Sequence, residues 1–125
     1  MITKKSVLVT GGTGGMGLAT AFKLSQNGFH VFVADNNAAM IKNIEFNDGI
    51  TPLLMDVTDR KSIERAFNEI KSQTDSLAGV VNFAGILRVG SIAEMPEETL
   101  SLLLDINVMG TYRVNQIFLP LLNRN

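Results

Sequence analysis

The chain of 125 residues has no cysteine and no tryptophan, and only three prolines, one tyrosine and one histidine. Without cysteine it forms neither disulfides nor thiolate metal sites, which agrees with a reducing compartment. His30 begins an apolar run and has no Asp, Glu or Cys clustered with it, so no metal site is expected. A charge of one sign is missing too: 11 Lys and Arg are set against 12 Asp and Glu, and the cations are scattered. A nucleic-acid binder concentrates its cations on one face, so that class is set aside. The longest apolar stretch, 100–122, is interrupted by Asp105, Asn107, Arg113, Asn115 and Gln116. That is too many polar groups for a lone membrane span. The opening MITKKSVLVTGG carries an apolar run too short for a signal peptide. The expectation is a cytoplasmic protein with no membrane segment. The six methionines read as core filler.

Glycine, by contrast, is abundant, and five of the 11 fall within residues 10–17, TGGTGGMG. The apolar β-branched run Ser6-Val7-Leu8-Val9 precedes this stretch, and Leu18 to Leu24 follow with apolar residues at helical spacing. The reading is strand, glycine turn, helix. Further runs place strands near 5–10, 30–35, 50–56 and 77–84, and helices near 15–27, 37–45, 59–73 and 97–122. Such alternation marks an α/β fold with a parallel sheet covered on both faces. Gly28 suits the end of the first helix, Asp59 the cap of the third, and Pro96-Glu97-Glu98 a first turn. No repeat or linker interrupts the chain, so 1–125 is read as one domain.

A helix start offers unpaired N–H groups and the positive end of the helix dipole, and both favour an anion. Gly11 permits a tight turn out of the strand, a glycine at 14 or 15 admits a pyrophosphate, and Gly17 allows close helix–strand packing. A glycine turn without a ligand would look much the same. Asp35, 18 positions after Gly17, stands where an acidic residue meets the adenosine ribose in dinucleotide-binding folds. A carboxylate there accepts from the ribose hydroxyls and repels a 2′-phosphate. Neither the glycine turn nor Asn36-Asn37 offers a cation to neutralise one, so NAD is favoured over NADP. The alternative is that Asp35 merely caps the next helix.

These residues resemble the short-chain dehydrogenase/reductase family along the whole chain. TGGTGGMG fits both the classical pattern, through Gly11, Gly15 and Gly17, and the extended one, through Gly11, Gly14 and Gly17. Asp56-Val57-Thr58, which is similar to the adenine-contacting segment, and Val81-Asn82-Phe83-Ala84-Gly85, similar to Asn-Asn-Ala-Gly with Phe83 in place of the second Asn, favour the classical branch. So does Asp105-Ile106-Asn107-Val108-Met109-Gly110-Thr111, which is similar to the helix carrying the Asn of the catalytic tetrad.

The resemblance implies a Rossmann-like parallel sheet of order 3-2-1-4 with helices on both faces, incomplete after the fourth helix. It implies cofactor contacts from Gly11, Thr13, Gly15, Met16, Gly17, Asp35, Asp56, Val57, Asn82, Ala84 and Gly85, and a catalytic position at Asn107. The family's Ser and Tyr-x-x-x-Lys normally lie later in the pattern. Tyr112, followed four residues on by Gln116, does not match them, and packing or a surface contact is its expected role.

Three functions follow: the cofactor-binding part of an NAD-dependent oxidoreductase acting on an alcohol or carbonyl, a non-catalytic NAD-binding or regulatory module, or one half of a complementing pair. The strand near 77–84 is left at an apolar edge, and the final helix carries more apolar surface than one sheet face covers. Homo-oligomerisation is therefore expected.

Overall fold

A computed structural model of the chain describes residues 1–43 and 49–122. Four strands, β1 (Ser6–Thr10), β2 (His30–Asp35), β3 (Ile50–Leu54) and β4 (Gly79–Asn82), form one parallel sheet in the order β3-β2-β1-β4. Its helices are α1 (Gly15–Gln26), α2 (Ala38–Asn43), α3 (Arg60–Lys71), α4 (Glu97–Leu104) and α5 (Thr111–Phe118). Ser6 is level with His30, and Val7 with Gly79. Alternate residues of β1 and β2 feed opposite cores. Leu8, Phe32 and Ala34 pack with Ile63, Ala66 and Ile70 of α3 and Val114 and Phe118 of α5, whereas Val7, Val9, Val31 and Val33 pack with Ala21, Phe22 and Leu24 of α1. A parallel strand buried on both faces reads as an uninterrupted apolar run, which is why SVLV and HVFVA were legible as strands. Each large side chain so buried contributes roughly 1.5–3 kcal/mol.

The boundaries explain themselves locally. Asn27 caps α1 and Gly28 follows with φ +89°. Asp59 accepts from the Lys61 N–H at 3.1 Å and caps α3, and Pro96 stands before the first residue of α4. Pro52 is tolerated inside β3 because that strand lies at the sheet edge.

Several expectations need correction. The strand expected over 77–84 is only four residues long: past Asn82 one more main-chain bond, Phe83 N to Thr10 O, is made to β1 before Ala84 N donates instead to Thr10 Oγ1. The strand expected over 50–56 ends at Leu54, where the chain enters the turn built on Asp56. The helix over 97–122 is not uniform: a π-helical turn, Asp105–Gly110, separates α4 from α5, and a 3₁₀ turn, Leu119–Leu121, closes it. Of the second helix expected over 37–45, residues 44 and 45 lie outside the described residues.

β4 stands at the opposite edge of the sheet from β3, and just before it Leu77 N donates to Leu121 O at 2.8 Å. Among the described residues no helix is long and apolar enough to cross a membrane.

Candidate functional site

β1 leads into the glycine turn on one side of the sheet's central reversal, and β4 leads into the 83–95 segment on the other. Between them, at the carboxyl ends of the strands, lies a cleft of about 620 Å³. Ligands of open parallel sheets bind at such a switch point.

The turn is shaped by missing side chains. Gly11 has φ +62°, and a Cβ there would lie 2.7 Å from Ala84 N and the Phe83 carbonyl. A Cβ on Gly17 would collide with the Gly11 carbonyl oxygen, so the first turn of α1 packs directly on the turn leaving β1. Gly15, the first residue of α1, has open space where its Cβ would be. The N–H groups of Gly15, Met16 and Gly17, in the opening turn, have no intrahelical acceptor. Room and donors for an anion therefore coincide, which fits a pyrophosphate.

Asp35 ends β2 and faces this turn. Its Oδ2 accepts from Thr13 Oγ1 at 2.6 Å and Thr13 N at 3.2 Å, and its Oδ1 accepts from Asn37 N at 3.2 Å. The cap of α2 is Asn37, whose Oδ1 accepts from Met40 N. The capping reading of Asp35 therefore gives way to a carboxylate bound to the glycine turn. Asp56 Oδ1 accepts from both Thr58 N and Thr58 Oγ1, holding residues 56–58 in a compact turn along the cleft.

On the far wall the Asn107 amide pairs with the backbone of Ile86: Ile86 N donates to Oδ1 at 2.8 Å and Nδ2 donates to Ile86 O at 2.9 Å. Asn107 lies inside the π turn, a local widening frequent at functional sites. Asn82 Nδ2 donates to Asn115 Oδ1 at 2.9 Å, while Asn82 Oδ1 is buried with no partner among the described residues.

The structure thus brings Gly11, Thr13, Asp35, Asp56, Val57, Ala84 and Gly85 to the cleft wall. Gly15 and Gly17 support it from the helix start, Met16 is 74 % exposed beside it, and Asn82 and Asn107 stand behind the wall. Sequence reasoning did not anticipate Met40, Leu102 and Ile106 as lining residues, and Thr58 entered it only as part of the segment similar to the adenine-contacting one. The spacing of Leu102 and Ile106, one helical turn apart, was the signal available for those two.

His30 lies at the opposite end of β2, where its Nε2 is 2.8 Å from Thr51 Oγ1. Burial, with the nearby Lys4 charge adding to it, holds its pKa below the usual 6.5. Tyr112 is exposed, its hydroxyl accepting from Gln116 Nε2. No group of three or more His, Cys, Asp or Glu side chains able to hold a metal occurs among the described residues.

The family described as short chain dehydrogenase matches residues 5–125. The chain belongs to the short-chain dehydrogenase family. It is 39 % identical over 127 residues to the 3-amino-tetrahydro-pyrrolizinone reductase of Xenorhabdus hominickii, covering 99 % of this chain and 43 % of that protein. The 3-oxoacyl-[acyl-carrier-protein] reductase MabA of Mycobacterium avium is 33 % identical, covering 90 % and 42 %. The structure of ElxO with NADP bound superposes with a TM-score of 0.87 at 29 % identity, covering 94 % of this chain and 50 % of that one. The chain thus spans about half the length of these short-chain dehydrogenase relatives.

Proposed function

We propose that this chain is the cofactor-binding part of an NAD-dependent oxidoreductase acting on an alcohol or carbonyl. The observation that supports the choice of NAD is the lining of the cleft. Asp35 stands beside the glycine turn, and among the described residues no Lys or Arg lines the cleft to neutralise a 2′-phosphate. ElxO binds NADP in the same fold, so the fold does not itself choose the cofactor. In this chain the choice is assigned to the Asp35 carboxylate.

A nicotinamide cofactor held in this cleft would supply or accept the hydride. The chain's own groups do the rest of what is present here: the N–H groups at the start of α1 hold the pyrophosphate, Asp35 the adenosine ribose, and Asp56 and Val57 the adenine. Asn107 keeps the backbone at Ile86 in place on the wall of the cleft. A positioned acid is needed to deliver a proton to a developing alkoxide, and Tyr112, exposed on α5, is not directed to this cleft. The 125-residue chain by itself is therefore expected to bind cofactor without turning over. The exposed apolar side chains Leu100 and Leu104 of α4 and Val108 of the π turn, spaced at four residues, support self-association through this surface.

Calorimetric titration tests the cofactor reading. NAD or NADH should bind more tightly than NADP or NADPH, and Asp35→Ala should narrow the gap. Equal or tighter binding of NADP to the unaltered chain would overturn the role given to Asp35.

A further inference from the structure

Arg113 lies in the first turn of α5, and its side chain is only 17 % exposed. A guanidinium so far withdrawn from water needs its donors satisfied. Nη1 donates to the carbonyl oxygens of Val57 at 2.9 Å and Asp105 at 3.3 Å, and Nη2 donates to Asp105 Oδ1 at 2.5 Å. One planar fork thus joins two segments far apart in sequence. Val57 belongs to the 56–58 turn on the cleft wall. Asp105 opens the π turn two residues before Asn107, whose amide grips the backbone of Ile86 on the other wall. The two segments also touch at Gly110, where a Cβ would come within 2.6 Å of Val57 Cγ2. Gly110 removes the obstacle, and Arg113 supplies the bond.

We propose that Arg113 is a positioning residue that fixes the 56–58 turn against the π turn carrying Asn107, so that the two walls of the cleft respond to a bound nucleotide as one body. The proposal rests on the cofactor reading above. The Asp105 side chain is 38 % exposed, and an ion pair open to water on one side contributes little to stability, which leaves geometry as what this pair contributes. A rigid fork with several donors can address Val57 and Asp105 in fixed relation, and a lysine ammonium on a flexible stem cannot.

The test uses AMP on the whole 125-residue chain, because AMP carries the adenine and its ribose but nothing of the nicotinamide half. In the unaltered chain, saturating AMP should shift the NMR resonances of the Asn107 side-chain amide and the Ile86 backbone amide. Arg113→Met keeps the apolar stem. It should bind AMP about tenfold more weakly, the effect of about one lost hydrogen-bond contribution, and should show no shift at Asn107 or Ile86 on saturation. Arg113→Lys should recover part of the affinity. Should Arg113→Met not fold, Asp105→Asn carries the test, since it leaves the Val57 contact in place: AMP affinity stays near that of the unaltered chain while the Asn107 shift is reduced.

A variant with a lower melting temperature but unchanged AMP affinity and an unchanged Asn107 shift would overturn the positioning role and leave the cofactor reading standing. Failure of the unaltered chain to bind AMP at millimolar concentration would overturn both.

Discussion

Gly11 and Gly17 hold the first wall of the cleft by what they leave out, whereas Asn107 and Arg113 hold the second by bonds their side chains make across it. In the glycine turn, backbone lies on backbone: the start of α1 rests on the Gly11 carbonyl, and Gly11 rests on the chain leaving β4. Such contacts have no slack, because neither partner can rotate away. The second wall is assembled from the Ile86 backbone, the Asn107 amide, the Asp105 carboxylate and the Arg113 fork, each with its own torsional freedom. A wall made of excluded volume should fail abruptly when altered, and a wall made of hydrogen bonds should weaken in steps.

The sharpest way to break this comparison is Gly17→Ala. Its Cβ would collide with the Gly11 carbonyl oxygen, and relief requires α1 to lift from the sheet. We expect a loss of about 3 kcal/mol or more, beyond the usual range for overpacking because the obstacle is main chain. Thermal melting followed by circular dichroism reads it. Gly15→Ala is the control two residues earlier: open space surrounds that site, so its melt should match the unaltered chain or rise slightly. Equal damage at both positions would mean that helix-start propensity, not collision, governs this wall.

Asn107→Ala probes the other wall. It removes two hydrogen bonds to Ile86, but that backbone lies near solvent and water can take over part of the loss. A cost of about 1–2 kcal/mol is expected, with faster amide exchange at Ile86 and little change in the β1–β2 amides. Exchange that rises throughout the sheet would show that the amide holds more of the fold than this wall.

These two walls were not equally legible in the sequence. The glycine turn could be read because its signature is local: a strand, five glycines and a helix follow one another within residues 6–26, although the close contacts that Gly11 and Gly12 permit fall on Phe83, Ala84 and Val33 outside that motif. Strand order followed from right-handed crossovers together with the order that the family resemblance implies. Asn107 was found through a family pattern, but its partner Ile86 was not, because the pairing spans 21 positions. The same holds for Arg113 and Val57, 56 positions apart, and for Thr13 and Asp35, 22 apart. The π turn escaped notice because apolar spacing over 100–122 reports which faces are covered and is insensitive to one widened turn.

Thr13→Val sharpens the comparison from inside the first wall, since Thr13 is the point where a side-chain bond enters a region otherwise fixed by glycine. The hydroxyl bond to Asp35 is short, at 2.6 Å, but the Thr13 N–H also donates to the same oxygen and would remain. Stability should fall by only about 1 kcal/mol. The ratio of NAD to NADP affinity is the more telling readout, because a carboxylate released from Thr13 is free to turn away from the ribose. A melt and a ratio both unchanged would show that the 2.6 Å bond does not orient Asp35.

The smallest expected effect lies outside both walls, at the amino end of the sheet, where His30 offers a measure of how closed the rest of the fold is. His30 is buried against Phe32 and Thr51, and burial together with Lys4 lowers its pKa below the 6.5 of an unfolded histidine. The folded chain therefore resists taking up the proton that the unfolded chain binds. Linkage then gives the sign: this contribution to stability is fully present above about pH 6.5 and is lost progressively as the pH falls from there towards the lowered folded pKa. His30→Gln keeps an amide able to reach Thr51 and removes the titration. Between about pH 7.5 and 5.5 the melting temperature of the unaltered chain should fall further than that of the variant, with carboxylate effects common to both cancelling in the difference. Parallel profiles would mean that water reaches His30, and that the amino end of the sheet is as open as the cleft at the other.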